Sequence, residues 1–185
     1  SSDVCSSDLI YSECIFETTA FAPSGSTGFL SLAGQRTTLT GCTITITSAA
    51  PNSSNTNSVF NLSGGNCLIS GNTINIGTLS GSFGLIAIYA NGGSISGSFF
   101  LNNTFTVTSH TASASEFAVQ ITNNGVCIRG LYCNFGKGIS ISGSGNIVET
   151  INLVQRHANT AGSVLIASGC HGNEIHVVNT TFITG

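Results

Sequence analysis

The chain has 185 residues and a formal net charge of −3, and 6% of its residues are charged, against about 25% in an ordinary soluble domain. Four cations cannot track a phosphate backbone, which argues against nucleic acid as a partner, and no apolar run reaches the ~18 residues of a membrane-spanning helix. The length suffices for one domain with a sizeable core, whose surface must be kept soluble by Ser, Thr, Asn and Gly.

In chain order, residues 1–9, SSDVCSSDL, resemble a sequencing adapter read in frame (AGT TCA GAC GTG TGC TCT TCC GAT CT). We set them aside as an assembly scar on a metagenomic fragment, as a processing tag would be set aside. Residues 10–185 are then expected to form one domain, truncated at both ends, since no Met is present and the chain stops in NTTFITG. Asp3, Asp8 and Cys5 fall within the scar. The remainder has no Asp, five Glu, six Cys and a net charge of −1.

From residue 27 the chain repeats itself. TGFLSLAGQRTTLTGCTITIT (27–47) lies over NSVFNLSGGNCLISGNTINIG (57–77) without a gap, so that Gly41 matches Gly71 and Ile44 matches Ile74, an offset of 30. FFLNNTFTVTS (99–109) repeats LISGNTINIGT (68–78) at an offset of 31. AVQITNNG, GISISGSG, VETINLV, SVLIASG and GNEIHVV continue the pattern in shorter, looser copies. The variable stretches SAAPNSSNTN, GTLSGSFG and SHTASASE are polar, small-residue loops. There are about six copies of roughly 18–32 residues, a period that marks repeat architectures.

Each copy alternates apolar and polar residues, the strand period, and Gly or Asn corners separate the strands without a hairpin turn. Such strands find partners by stacking on the equivalent strands above and below. The prediction is all-β: a single-stranded right-handed parallel β-helix, or β-solenoid, of about six coils, rising about 4.8 Å per coil. A β-sandwich also has short strands with regular turns, but does not explain a gapless repeat. Parity predicts two buried columns: Cys14, Ile44, Ile74, Phe105, Cys133, Ile151 and Ile175, and beside it Phe16, Ile46, Ile76, Val107, Phe135, Leu153 and Val177. Asn72, Asn103 and Asn173 match one another as corner residues, a place that suits Asn because it tolerates left-handed backbone. The cysteines are spread over different coils with no CxxC spacing. They are expected as buried thiols filling ladder positions; Cys67 and Cys127, read as similar corners two coils apart, are too distant to bridge.

LTGCTITIT, LISGNTINIG, FLNNTFTVT and GNEIHVV resemble the degenerate coil repeat of the right-handed parallel β-helix class, the pectate-lyase-like superfamily, over residues 10–185. That class includes polysaccharide lyases and hydrolases, phage tailspikes, adhesins and passive stalks, so the resemblance implies a fold and not one activity. Its lyases imply a calcium-binding Asp cluster with an Arg base, and its hydrolases several Asp carboxylates. Without an Asp outside the scar, neither set has counterparts in this chain.

The densest polar group is near the C-terminal end: Glu149, Arg156, His157, His171, Glu174 and His176. As a site it would make Glu174 a general base with His176 and Arg156 nearby, Glu174 and His176 pointing outward beside Thr150 and Asn152. As a plain surface it is a solvated face, and that reading is preferred. His171 and His176 lie five apart, on opposite sides of a strand, so no metal site and no cofactor is expected. Outward columns of Thr43, Thr45, Thr73, Asn75, Thr104 and Thr106 form a flat hydroxyl and amide array, broken at Tyr132, Asn134 and Gly136 and starting at Glu13, Ile15 and Glu17. It suits glycan contact and resembles ice-binding solenoids. Asn52, in a loop sequon, is the most credible glycosylation acceptor.

These features favour a non-enzymatic structural segment of an extracellular or virion surface fibre, spike or adhesin. Its expected partners are a second copy of itself, in a homo-oligomer or head-to-tail stack, and polysaccharide. The first alternative is a polysaccharide lyase or hydrolase; the second is an ice-binding solenoid.

Overall fold

The computed structural model describes residues 9–22, 28–33, 36–51, 57–81, 84–91, 97–110, 117–136, 138–155 and 164–182. All secondary structure among them is β, arranged as rungs of a parallel solenoid with three faces. The first rung is β1 (Ile10–Ser12), β2 (Ile15–Phe21) and β3 (Gly28–Leu32). The second is β4 (Thr38–Thr40), β5 (Thr43–Ala49) and β6 (Ser58–Leu62); the third is β7 (Leu68–Ser70), β8 (Thr73–Leu79) and β9 (Ile86–Ala90). The fourth is β10 (Ser98–Leu101), β11 (Thr104–His110) and β12 (Val119–Ile121); the fifth is β13 (Val126–Arg129), β14 (Tyr132–Cys133) and β15 (Ile139–Ile141). In the sixth, β16 (Ile147–Gln155) runs through the first two faces and β17 (Val164–Ile166) supplies the third. Finally β18 (Glu174–Phe182) lies on β16. The third face is a six-stranded sheet in the order β17-β15-β12-β9-β6-β3, five turns from end to end.

Every strand bonds in parallel to its counterpart one turn away, which is how a strand without a hairpin satisfies its backbone. The sequence offsets are the observed registers: Ile44 pairs with Ile74 and Leu39 with Ile69, and Phe99 pairs with Leu68. The core is a set of like-on-like ladders. Leu39, Ile69, Phe100, Ile128 and Val148 line the first face, and Ile44, Ile74, Phe105, Cys133 and Leu153 the second, all buried. Phe60, Ile88, Val119 and Ile139 line the third. Phe105 closes the centre, with edge-to-face contacts to Phe60 at 5.6 Å and to Phe135 at 6.4 Å between ring centroids.

Two corners of each rung pass through left-handed backbone, and both stack. One column is Glu13, Gly41, Gly71, Asn102, Gly130 and Thr150; the other is Arg36, Asn66, Gly97, Gly125, Gly145 and Gly172, all at positive φ. The residue after each such position turns inward. At the first corner Asn72 Nδ2 donates to Leu39 O and to Asn103 Oδ1, both at 2.9 Å, and the Cys42 amide donates to Asn72 Oδ1 at 2.9 Å. At the second corner the Val126 amide donates to Asn146 Oδ1 and the Asn146 amide to Asn173 Oδ1, each at 2.9 Å.

Four expectations are corrected here. First, Cys14 does not stack on Ile44, nor Phe16 on Ile46; Phe16 pairs with Ile44 and Thr18 with Ile46, so the first turn is 28 residues. Second, Ile151 pairs with Val178 while Ile175 pairs with Val148, and Cys133 pairs with Leu153. Third, Asn173 belongs with Asn146 rather than with Asn72 and Asn103. Fourth, Cys67 precedes β7 at a corner whereas Cys127 lies within β13, in a column with Leu68 and Phe99. For Cys14, Phe16 and Cys133 the cause is a slip of two residues, which leaves unchanged the side of the sheet that alternation specifies; Ile175 is displaced by three residues, across the corner at Thr150, and Cys127 by one.

Candidate functional site

The C-terminal charged group lies on the first face. Column register places Leu101, Arg129, Glu149 and His176 on successive rungs, one above another. Beside them run Leu68, Phe99, Cys127, Ile147 and Glu174. Glu174 and His176 point outward, but their neighbours are Ile147 and Glu149, not Thr150 and Asn152. The error came from reading Ile151 and Ile175 as one column. Arg156, His157 and Asn52 lie outside the described residues.

Arg129 was not read as part of this group, yet it is its centre: Nε donates to Glu149 Oε2 at 2.7 Å. The signal was present in Gly130, a corner glycine that aligns with Thr150, but a β-branched Thr at a left-handed corner hides that correspondence. Glu174 Oε2 lies 3.7 Å from His176 Nε2. Their side chains are 66% and 59% exposed, and those of Arg129 and Glu149 are 52% and 39% exposed. The Glu149 carboxylate is committed to the Arg129 guanidinium on an open, solvated sheet. This is an ion-pair row on a solvated face, without the water-excluding enclosure that acid–base catalysis uses. In the adjoining column burial pushes the Cys127 thiol up; Arg129 opposes that shift and Glu149 adds to it. Among the described residues no group of three or more His, Cys, Asp or Glu is placed to hold a metal ion.

The polar array lies on the second face. Its leading column is Ile15, Thr43, Thr73, Thr104, Tyr132, Asn152 and Asn179. The next is Glu17, Thr45, Asn75 and Thr106, so the array starts at Ile15 and Glu17, with Glu13 at a corner outside it. Its members bond along the column: Thr106 Oγ1 donates to Asn75 Oδ1 at 2.9 Å, and Asn179 Nδ2 to Asn152 Oδ1 at 2.9 Å. Asn134 is not on this surface. It is buried, accepting the Val107 amide at 2.6 Å and donating to Val107 O at 3.0 Å. It caps the short strand β14, where alternation stops. Tyr132 on the second face and Phe99 on the first are large exposed rings, 37% and 45% exposed.

A scan against protein-family models found no match, and searches of curated proteins and of solved structures likewise found none.

Proposed function

We propose that this chain is a non-enzymatic structural segment of an extracellular or virion surface fibre, spike or adhesin, with carbohydrate as the molecule it contacts. The observation that carries the reading is the second face: a flat column of Thr43, Thr73, Thr104, Tyr132, Asn152 and Asn179 without a charge. Regularly spaced hydroxyls and amides beside an exposed ring match what sugars offer, which is hydroxyl groups and an apolar ring face. An enzymatic role has less support, since the acids of the first face stand open to solvent. Homo-oligomerisation is the companion proposal, supported by apolar side chains exposed on the outer rungs, Ile10, Ile15, Leu165 and Ile166.

The test is binding to a panel of immobilised polysaccharides, with wild type compared with Tyr132→Ala and Thr104→Lys. Retention by at least one polysaccharide that both variants lose is the expected outcome. Retention unchanged in both variants, or by none of the panel, overturns the reading. Ice-crystal shaping by the wild type would instead favour the hydroxyl array as an ice-binding face.

A further inference from the structure

The corrected register brings Cys14 and Cys42 together. Ile15 pairs with Thr43, and the Thr43 amide donates to Cys14 O at 2.9 Å, so the two cysteines occupy the same corner on adjacent rungs. Each follows a left-handed residue, Glu13 or Gly41, and turns inward. Both thiols take the same orientation: Cys14 Sγ lies 3.5 Å from Ser12 O, and Cys42 Sγ lies 3.4 Å from Thr40 O. Cys42 Sγ also leans toward the rung below, 3.8 Å from Tyr11 O. The residues that continue this corner upward already join side chain to side chain, Asn72 to Asn103 at 2.9 Å, and Asn72 takes the Cys42 amide. Strand spacing of about 4.8 Å falls within the Cα separations that a disulfide spans. Burial raises the Cys42 thiol; the Cys14 backbone opposes the shift and the Cys14 sulfur adds to it, as adjacent thiols would.

We propose that Cys14 and Cys42 are a rung-to-rung disulfide site, which continues the asparagine ladder as a covalent staple on the first rung. The oxidant is a low-molecular-weight disulfide. Cys14, the less buried of the two, attacks it as a thiolate, forms a mixed disulfide and releases one thiolate. Cys42 then loses its proton and attacks Cys14 Sγ, releasing the second. One protein S–S bond forms, two protons leave, and the two electrons reside in two small-molecule thiols. The bridge closes a loop across β2, β3 and β4 and constrains the unfolded chain most where the first rung would otherwise fray.

The experiment equilibrates the full chain, as wild type, Cys14→Ser and Cys42→Ser, with excess oxidised glutathione. Remaining thiols are alkylated in denaturant and the protein is mapped by mass spectrometry. The expected result is a linked peptide joining Cys14 and Cys42 in the wild type alone, with a melting temperature several degrees above that of the reduced protein. In Cys14→Ser, whose substitution is at a half-buried position, the rise is lost. Full alkylation of both cysteines after equilibration, or links that join them only to other cysteines, overturns the proposal. The polysaccharide panel reads a different face, so either proposal can fail without the other.

Discussion

Ile74 is fully buried, with Ile44 on one side and Phe105 on the other. In a column one side chain wide, truncation leaves a void that neighbours fixed by ladder bonds cannot fill. Ile74→Ala should therefore cost about 2–5 kcal/mol, measured by urea denaturation. Thr45→Ala, on the outward side of the adjoining strand, should stay within about 0.5 kcal/mol; the opposite order would invert the assigned faces. Cys133 makes a second residue-scale case. It is fully buried, and burial pushes its thiol from 9.0 up to about 12, only partly offset by the Phe135 backbone. The unfolded chain then releases this proton first. The stabilising preference for the neutral thiol is complete below pH 9 and is lost as the pH rises from 9 towards 12, at no more than about 1.4 kcal/mol per pH unit. Between about pH 8 and pH 11, wild type should lose stability faster than Cys133→Val. Parallel curves for the two proteins would contradict the assignment.

At the scale of the element, the corners decide more than the strands. Asn72 is buried on the third rung, and its side chain serves Leu39 O and the Cys42 amide on the second rung and Asn103 Oδ1 on the fourth. Asn72→Ala removes the side-chain partner of Leu39 O and of the Cys42 amide at about 1–3 kcal/mol each, while Asn103 Oδ1 keeps the backbone amide of residue 72 at 3.1 Å. Asn72→Asp should be worse, because carboxylate oxygens would face the Leu39 and Asn103 oxygens; a milder effect for Asp in thermal melts would refute this bond assignment. The stacked left-handed column offers the reverse experiment. Gly71 occupies it at φ +63° without penalty, whereas Thr150 sits there at φ +54°. Thr150→Gly should stabilise by about 1 kcal/mol, read as a higher denaturation midpoint, and a lower midpoint would show that the Thr side chain contributes more than its backbone costs.

For the whole molecule, cohesion comes from parallel ladders and apolar columns, with the Arg129–Glu149 ion pair exposed on the first face. Exposed pairs contribute about 0–1 kcal/mol. The proposed self-association rests on the apolar side chains exposed on the first and last rungs among the described residues, Ile10, Ile15, Leu165 and Ile166. Light scattering over a wide dilution series should show mass increasing with concentration, and a single monomeric species throughout would overturn it.

What the sequence by itself determined was class and sidedness. Alternation in TITIT and TINIG, with a gapless 30-residue repeat and no hairpin signal, is enough for a parallel solenoid, because strands of that kind can bond only to their own copies. It also placed Ile44, Ile46, Ile74 and Ile76 in the core and Thr43, Thr45, Thr73, Asn75, Thr104 and Thr106 on the outer side of their strands. The tertiary structure decided which rung-mates meet wherever the turn length departs from 30. A slip of two residues preserves every inward and outward assignment, so the pattern is silent about it, and only backbone pairing across the first and last turns places Cys14 on Cys42 and Glu149 on Arg129. Asn134 was illegible for a related reason: it interrupts β14, and a residue whose amide partner is the backbone of the neighbouring rung no longer follows the two-residue period.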